Sequence, residues 1–276
     1  MNRPIAIAFA AVLLLLGGVA YYWNTREARQ APAPVPDEAP TATATPAPKP
    51  AIEFPIEPPA GTGPQEPLAP LARADEVVRR ALVDWLGKDA VVSFLQLDDF
   101  VRHVVATTDN LGRSHAAPRL WPVTPTPGKF TVVRGGEDLL IAPGNSERYA
   151  PLVAFVESID LTHATELYVR WYPWFQQAYE ELGYPGRHFN DRLVQVIDLL
   201  IATPVPDKPL AVSLTEVKGP IPSTRPWVRY EFVDPSLESL SAGQKMLLRV
   251  GPTNQRRLQA KLADFRRRIT TAAKPR

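Results

Sequence analysis

Apolar and polar positions divide the chain into three stretches of different rhythm. Ile5 to Tyr22 is an unbroken apolar run of 18 residues without a charge, and it closes on Tyr21, Tyr22 and Trp23. Ala31 to Pro70 shows no period: 13 prolines stand among 40 residues, mixed with alanine and threonine. From Leu71 onward, apolar residues recur mostly every three or four positions, the rhythm of amphipathic helices.

Within that third stretch, Asp75 reads as a helix cap. Val78, Leu82, Trp85 and Leu86 then share one face, and Gly87 ends the helix. Asp98 to Thr108 reads as a second helix with Phe100, Val101, Val104 and Val105 inward, and the proline-bearing Leu120–Gly128 as a loop. Short apolar segments Phe130–Val133 and Asp138–Ile141 flank a Gly135-Gly136 turn and read as a hairpin. Asn145 is expected to cap a helix reaching Ser158. Further helices are expected from Thr162 to Gly183 and from Phe189 or Asn190 to Thr203. Leu210–Val217 and Trp227–Val233 read as short strands. Asp234-Pro235 starts a helix, Ser241-x-x-Gln244 is a capping box, and Pro252 opens a last helix striped by Leu258, Leu262, Phe265 and Ile269. The fold class is α+β, mainly α: one helical domain with a small antiparallel component and no strand–helix alternation.

At about 1.5 Å per residue, the first run spans about 27 Å, enough for a bilayer core. Its closing aromatics suit a lipid–water boundary. A cleaved signal peptide is the alternative, with Gly18-Val19-Ala20 as the cleavage site. The expected organisation is a leader over 1–4, a transmembrane signal-anchor over 5–23 with its apolar part from Ile5 to Tyr22, and a Pro-rich disordered linker over 24–70. A globular domain over 71–271 and a basic tail over 272–276 follow. The linker buries too little apolar surface to repay its ordering entropy. It would reach about 120 Å as polyproline II and about 35 Å as coil. Arg3 precedes the run, while Arg26 and Arg29 follow it with Glu27, so the positive-inside rule is nearly balanced. A four-residue leader before an apolar run favours a cytoplasmic N-terminus and a periplasmic domain.

Charge changes the picture at the far end. Leu71–Leu248 holds 18 basic and 22 acidic residues, net −4; Arg249–Arg276 holds nine basic residues and one acid, Asp264. Arg256, Arg257, Lys261, Arg266, Arg267 and Arg268 form a candidate basic patch. It would suit anionic headgroups, an acidic partner or nucleic acid, or fold onto the domain's own acids.

Two other clusters draw attention. Tyr168–Phe189 carries eight of the chain's 24 aromatic residues. Tyr168, Tyr172, Phe175 and Tyr179 share a helix face, on which Pro173 is expected to kink or break the helix. That face is a core seam or a stacking platform, with Trp171 and Trp174 partly exposed beside it. The turn that follows gathers Tyr184, Arg187, His188, Asn190, Asp191 and Arg192. Gly183 fits a helix stop, Pro185-Gly186 a type II turn, and Asn190 or Asp191 a cap for the next helix. His188 as a base or Arg187 as an anion clamp are the chemical readings of the same turn. The four histidines are scattered; Asp99 and His103 share a face, but two ligands do not make a metal site. No metal, phosphate-loop or nucleophile-elbow motif occurs, and no cofactor is expected.

Several segments resemble one bacterial family. Asp109-Asn110-Leu111, Ala117-Pro118-Arg119-Leu120, the run from Tyr172-Pro173 through Phe175 to Leu193, Tyr230-Glu231-Phe232 and Leu240–Lys245 are similar to domain-of-unknown-function family 3014. The resemblance covers about Leu71 to Ile269. It implies the layout of membrane segment, Pro-rich spacer and one domain, and it brings no activity, cofactor or catalytic residue. The expectation is a single-pass protein of the bacterial inner membrane, non-enzymatic, with an envelope protein or peptidoglycan as partner. Two alternatives are an envelope enzyme using Arg187, His188 and Asp191, and a cytoplasm-facing domain binding nucleic acid through the last helix. With the domain exported, no nucleic acid is expected.

Overall fold

The computed structural model describes residues 51–56, 68–215 and 225–271. The expected membrane segment from Ile5 to Tyr22, the leader, most of the spacer and the tail lie outside these residues. Among the described residues, no helix is long and apolar enough to cross a membrane.

Nine helices and four strands are found among the described residues. They are α1 (Ala74–Leu86), α2 (Lys88–Phe94), α3 (Phe100–Leu111), β1 (Val132–Gly135), β2 (Asp138–Ile141), α4 (Gly144–Ser158), α5 (Leu161–Glu181), α6 (Phe189–Ile201), β3 (Ala211–Leu214), β4 (Tyr230–Phe232), α7 (Pro235–Glu238), α8 (Ala242–Arg249) and α9 (Pro252–Thr271). The strands form one antiparallel sheet in the order β1-β2-β3-β4. The class is mainly helical with a small antiparallel sheet, as the apolar periods indicated.

The main core is a seam of rings along α5. Tyr168, Phe175 and Phe189 stack in series, and Tyr179 adds a second contact to Phe189. Around it close Val78 and Leu82 of α1, Val101 and Val105 of α3, Val194 and Ile197 of α6 and Ile269 of α9. The stripe expected on the last helix faces the core: Ile269 is buried, and Leu258, Leu262 and Phe265 are half-buried against core residues. Helix α3 packs on α5 and α6, and α9 lies across α4, α5 and α6. A second core joins Val212 and Phe232 of the sheet to Leu248 of α8.

Local signals were mostly read correctly where the interaction is local. Ser241 and Gln244 form the reciprocal capping box and Asp234 caps α7, as expected; the cap of α5, not among the expectations, is Asp160, which accepts from Thr162 N at 2.8 Å. Where the partner is distant, the readings change. Asp75 does not cap its own helix; its carboxylate accepts from Asp99 N (2.7 Å) and Phe100 N (3.1 Å), capping α3 across 24 residues. Asn145 does not cap α4 either. It is buried and ties Thr131 N, Thr131 O and Ala142 O together, riveting the hairpin to the helix. The hairpin turn is Gly136-Glu137, with Gly135 paired to Asp138 inside the ladder. Helix α5 runs unbroken through Pro173. Helix α2, Lys88–Phe94, carries no sequence signal, because seven residues hold too few turns for a period to show.

Trp171 and Trp174, expected to be partly exposed, are core residues at 4% and 3% exposure. Their rings stack on each other, and Trp174 Nε1 donates to Ala69 O at 2.8 Å. The chain entering the domain at Leu68 and Ala69 covers the flank that one helix could not bury against its partners.

Candidate functional site

The turn between α5 and α6 opens onto a cleft of about 510 Å3. Its wall comes from four elements: Asp109 and Arg113 at the end of α3, Tyr179 of α5, Tyr184, Arg187 and His188 of the turn, and Asp191, Arg192 and Gln195 of α6. The fifth contribution is Ala51 and Glu53, far earlier in the chain.

The turn is shaped locally. Tyr184 O accepts from Arg187 N at 3.2 Å around Pro185-Gly186, and Gly186 at φ 75° supplies the left-handed residue that position needs. Gln176 then fastens both of its ends. Its Nε2 donates to Arg187 O (2.8 Å), and its Oε1 accepts from Phe189 N (2.9 Å), the first amide of α6. The cap expected from Asn190 or Asp191 is thus supplied by a side chain one helix earlier. With that amide satisfied, Asn190 and Asp191 are released for other partners.

Asn190 points inward rather than into the cleft and is fully buried. Its Oδ1 accepts from the Tyr168 hydroxyl at 2.8 Å, and its Nδ2 donates to Phe54 O at 2.9 Å. Burial pushes the Tyr168 hydroxyl well above its ordinary value, so it stays a donor. Asp191 accepts from Phe54 N at 2.7 Å and Glu53 N at 3.2 Å. Phe54 and Ile56 pack on the main core. Residues 51–56, read from sequence as spacer, are a strap laid over the start of α6.

The floor of the cleft is an ion-pair network around Asp109, which is 4% exposed. One carboxylate oxygen accepts from Arg192 Nε at 2.9 Å. The other pairs with Arg113 at 2.7 Å and accepts from the Tyr184 hydroxyl at 3.1 Å. Arg192 also donates to Asp109 O and to Gln195 Oε1, and Arg113 contacts the Tyr184 hydroxyl. The Asp109 charge holds the Arg113 guanidinium above its ordinary value. Burial, with Asp109 nearby, pushes the Tyr179 hydroxyl up, and its ring stacks on Tyr184 at 4.6 Å. The fit is close: a Cβ at Gly112 would stand 2.8 Å from the Arg192 guanidinium. A buried carboxylate held by two guanidiniums is a rigid strut.

Against that strut, Arg187 is the open cation. It is exposed, its guanidinium lies 6.0 Å from the Tyr184 ring centroid, and no acid pairs with it among the described residues. His188 is half-buried at the rim. Arg187, His188 and Asp191 do share the cleft, but both Asp191 oxygens are taken by strap amides. Asp191 is therefore not oriented as a partner for His188. Sequence reasoning missed Asp109, Arg113, Tyr179, Gln195 and the strap as wall residues. The Asp109–Arg113 spacing of one helical turn was the available signal for part of it.

The basic last helix is differently placed. Arg266 pairs with Asp198, Arg257 with Glu157, and Arg267 and Arg268 with Asp264. Lys261 Nζ donates to Glu157 O at 2.7 Å, and Arg268 donates to Thr162 Oγ1 at 3.0 Å. Only Arg256 of the six stands exposed without an ion pair among the described residues. The patch folds largely onto the domain's own acids. Among the described residues, no group of three or more histidine, cysteine, aspartate or glutamate side chains is placed to hold a metal.

No curated protein and no solved structure matches the chain. A family described as "Protein of unknown function (DUF3014)" matches residues 100–266. That span contains every wall residue of the cleft except Ala51 and Glu53, and it covers more than half the chain. The segments first read as a resemblance fall largely within it, and the chain belongs to the DUF3014 family.

Proposed function

We propose that this chain is a non-enzymatic, membrane-anchored protein of the bacterial envelope whose domain grips an acidic partner at the α5–α6 turn. The apolar run Ile5–Tyr22 and the Pro-rich spacer support the anchor and the reach. The partner is a carboxylate- or phosphate-bearing group on peptidoglycan or on another envelope protein.

One observation carries the reading. Arg187 is exposed and, among the described residues, without an acid partner, beside a Tyr184 ring and a second arginine that Asp109 holds in place. Arginine on a rigid frame is suited to anion recognition, because little side-chain freedom is lost on binding. The enzyme alternative has less support: its candidate acid, Asp191, already takes two backbone N–H groups.

The test uses the full chain in detergent micelles, co-sedimented with purified peptidoglycan and, separately, cross-linked mildly in intact envelopes. Arg187→Glu is expected to cut retention at least tenfold with thermal stability unchanged. Equal retention of the variant in both assays would remove the reading. A pair of topology reporters after Arg276 should be active only for the periplasmic side; the opposite result would overturn the compartment.

A further inference from the structure

The strap joins two things that the sequence keeps apart. Residues 51–56 lie within the Pro-rich stretch that follows the apolar N-terminal run, and Ala51 and Glu53 among them line the cleft. Their hold on the domain is specific. Two successive amides, Glu53 N and Phe54 N, donate to one carboxylate, and Phe54 O is held by the buried Asn190. Phe54 and Ile56 add apolar contact with the core. Yet the strap residues are exposed to half-buried, and three hydrogen bonds and two apolar contacts are a modest grip.

We propose that residues 51–56 are a releasable latch coupling the tether to the cleft. Docked, the latch completes the cleft; undocked, it opens that wall and adds chain to the tether. The 17 residues from Ala51 to Pro67 would add up to about 55 Å of reach. Any pull on the tether acts on the latch before it acts on the helices. By linkage, whatever binds against the docked wall shifts the latch equilibrium toward the docked state by the factor by which release weakens its binding. The proposal rests on the anion-binding reading for its ligand, but not for the latch itself.

Two measurements on the full chain in micelles test it, one without any ligand. The protein has no cysteine, so Gln195→Cys gives a single thiol at the cleft wall. Phe54→Ala, a change on the strap that leaves its charge intact, is expected to speed thiol labelling at least fivefold. It should also speed amide exchange at Glu53 and Phe54 at least tenfold, with exchange in α5 and α6 unchanged. Unaltered labelling, or strap amides that already exchange at free-chain rates in the parent, would overturn the latch. Should Phe54→Ala lower the protection of α5 as well, Asp191→Asn takes its place with the same thresholds.

Inorganic phosphate is the second probe. It is expected to slow exchange at Glu53 and Phe54 in the parent, and to bind Phe54→Ala several-fold more weakly. Equal affinity in parent and variant, with the strap released, overturns the coupling. No phosphate binding in the parent counts against the anion reading, and the labelling result then decides the latch alone.

Discussion

Two arginine-rich surfaces of this domain carry similar charge and differ in what that charge is free to do. On α9, Arg257, Arg266, Arg267 and Arg268 each face a carboxylate of the same fold, across exposed or half-exposed pairs. At the cleft, Arg113 and Arg192 share one buried carboxylate, and Arg187 has none among the described residues. A count of basic residues favoured the last helix as a binding patch. Pairing reverses that ranking: a cation already neutralised by its neighbour offers a ligand little, whereas a rigid frame with one open guanidinium offers a site.

The largest expected effect breaks the cleft side. Asp109→Ala leaves two guanidiniums and a tyrosine hydroxyl without their shared acceptor; Arg192 is largely buried, while Arg113 is half-exposed and can turn to water. Loss of about 3 kcal/mol of stability is expected, read by urea denaturation. A loss under about 1 kcal/mol would mean that Asp109 is no strut.

The second effect comes from the tyrosines packed behind the cleft. Burial pushes the Tyr172 hydroxyl up to about 12, from an ordinary value near 10. A group raised in the folded state contributes fully below its unfolded value, and that contribution is lost as pH rises through the folded one. Stability should therefore fall between about pH 10 and 12, by on the order of 2 kcal/mol from this residue. Tyr172→Phe should flatten that part of the pH profile in chemical denaturation. An unchanged slope would show that Tyr172 titrates as an exposed phenol.

Third, Arg187→Glu should weaken retention on the acidic partner about tenfold, or about 1.4 kcal/mol, while Arg267→Glu leaves it within twofold. The reverse order would restore the last helix as the binding surface. Smallest is the exposed pair on α9. Asp198→Ala, which removes the partner of Arg266, should cost less than about 1 kcal/mol, and the cost should shrink in 1 M salt.

The apolar rhythm alone made the helices, the hairpin and the stripe of α9 legible, and local chemistry gave the capping box, the Asp234 cap and the Pro185-Gly186 turn. Those features depend on residues within one or two turns of each other. The polar turn was also visible as a cluster, including Arg187 and His188. What sequence could not give was the destination of side chains whose partners lie far along the chain. Asp75 caps a helix 24 residues on, Gln176 supplies the cap assigned to Asn190 or Asp191, and those two hold a segment more than 130 residues earlier. Trp171 and Trp174 looked exposed because one helix has two flanks, and the chain covering the second flank is Leu68-Ala69.

By itself, then, the sequence determined the helical rhythm, the apolar opening run, the proline-rich composition of 31–70 and the family. Each of these follows from composition or from spacing within a few residues. Only the tertiary structure decided which charges are neutralised and which stand open, and that part of the apparent spacer is a wall of the cleft. The physical reason is that ion pairing and burial are set by distance in space, and neither is encoded by the spacing of residues along the chain.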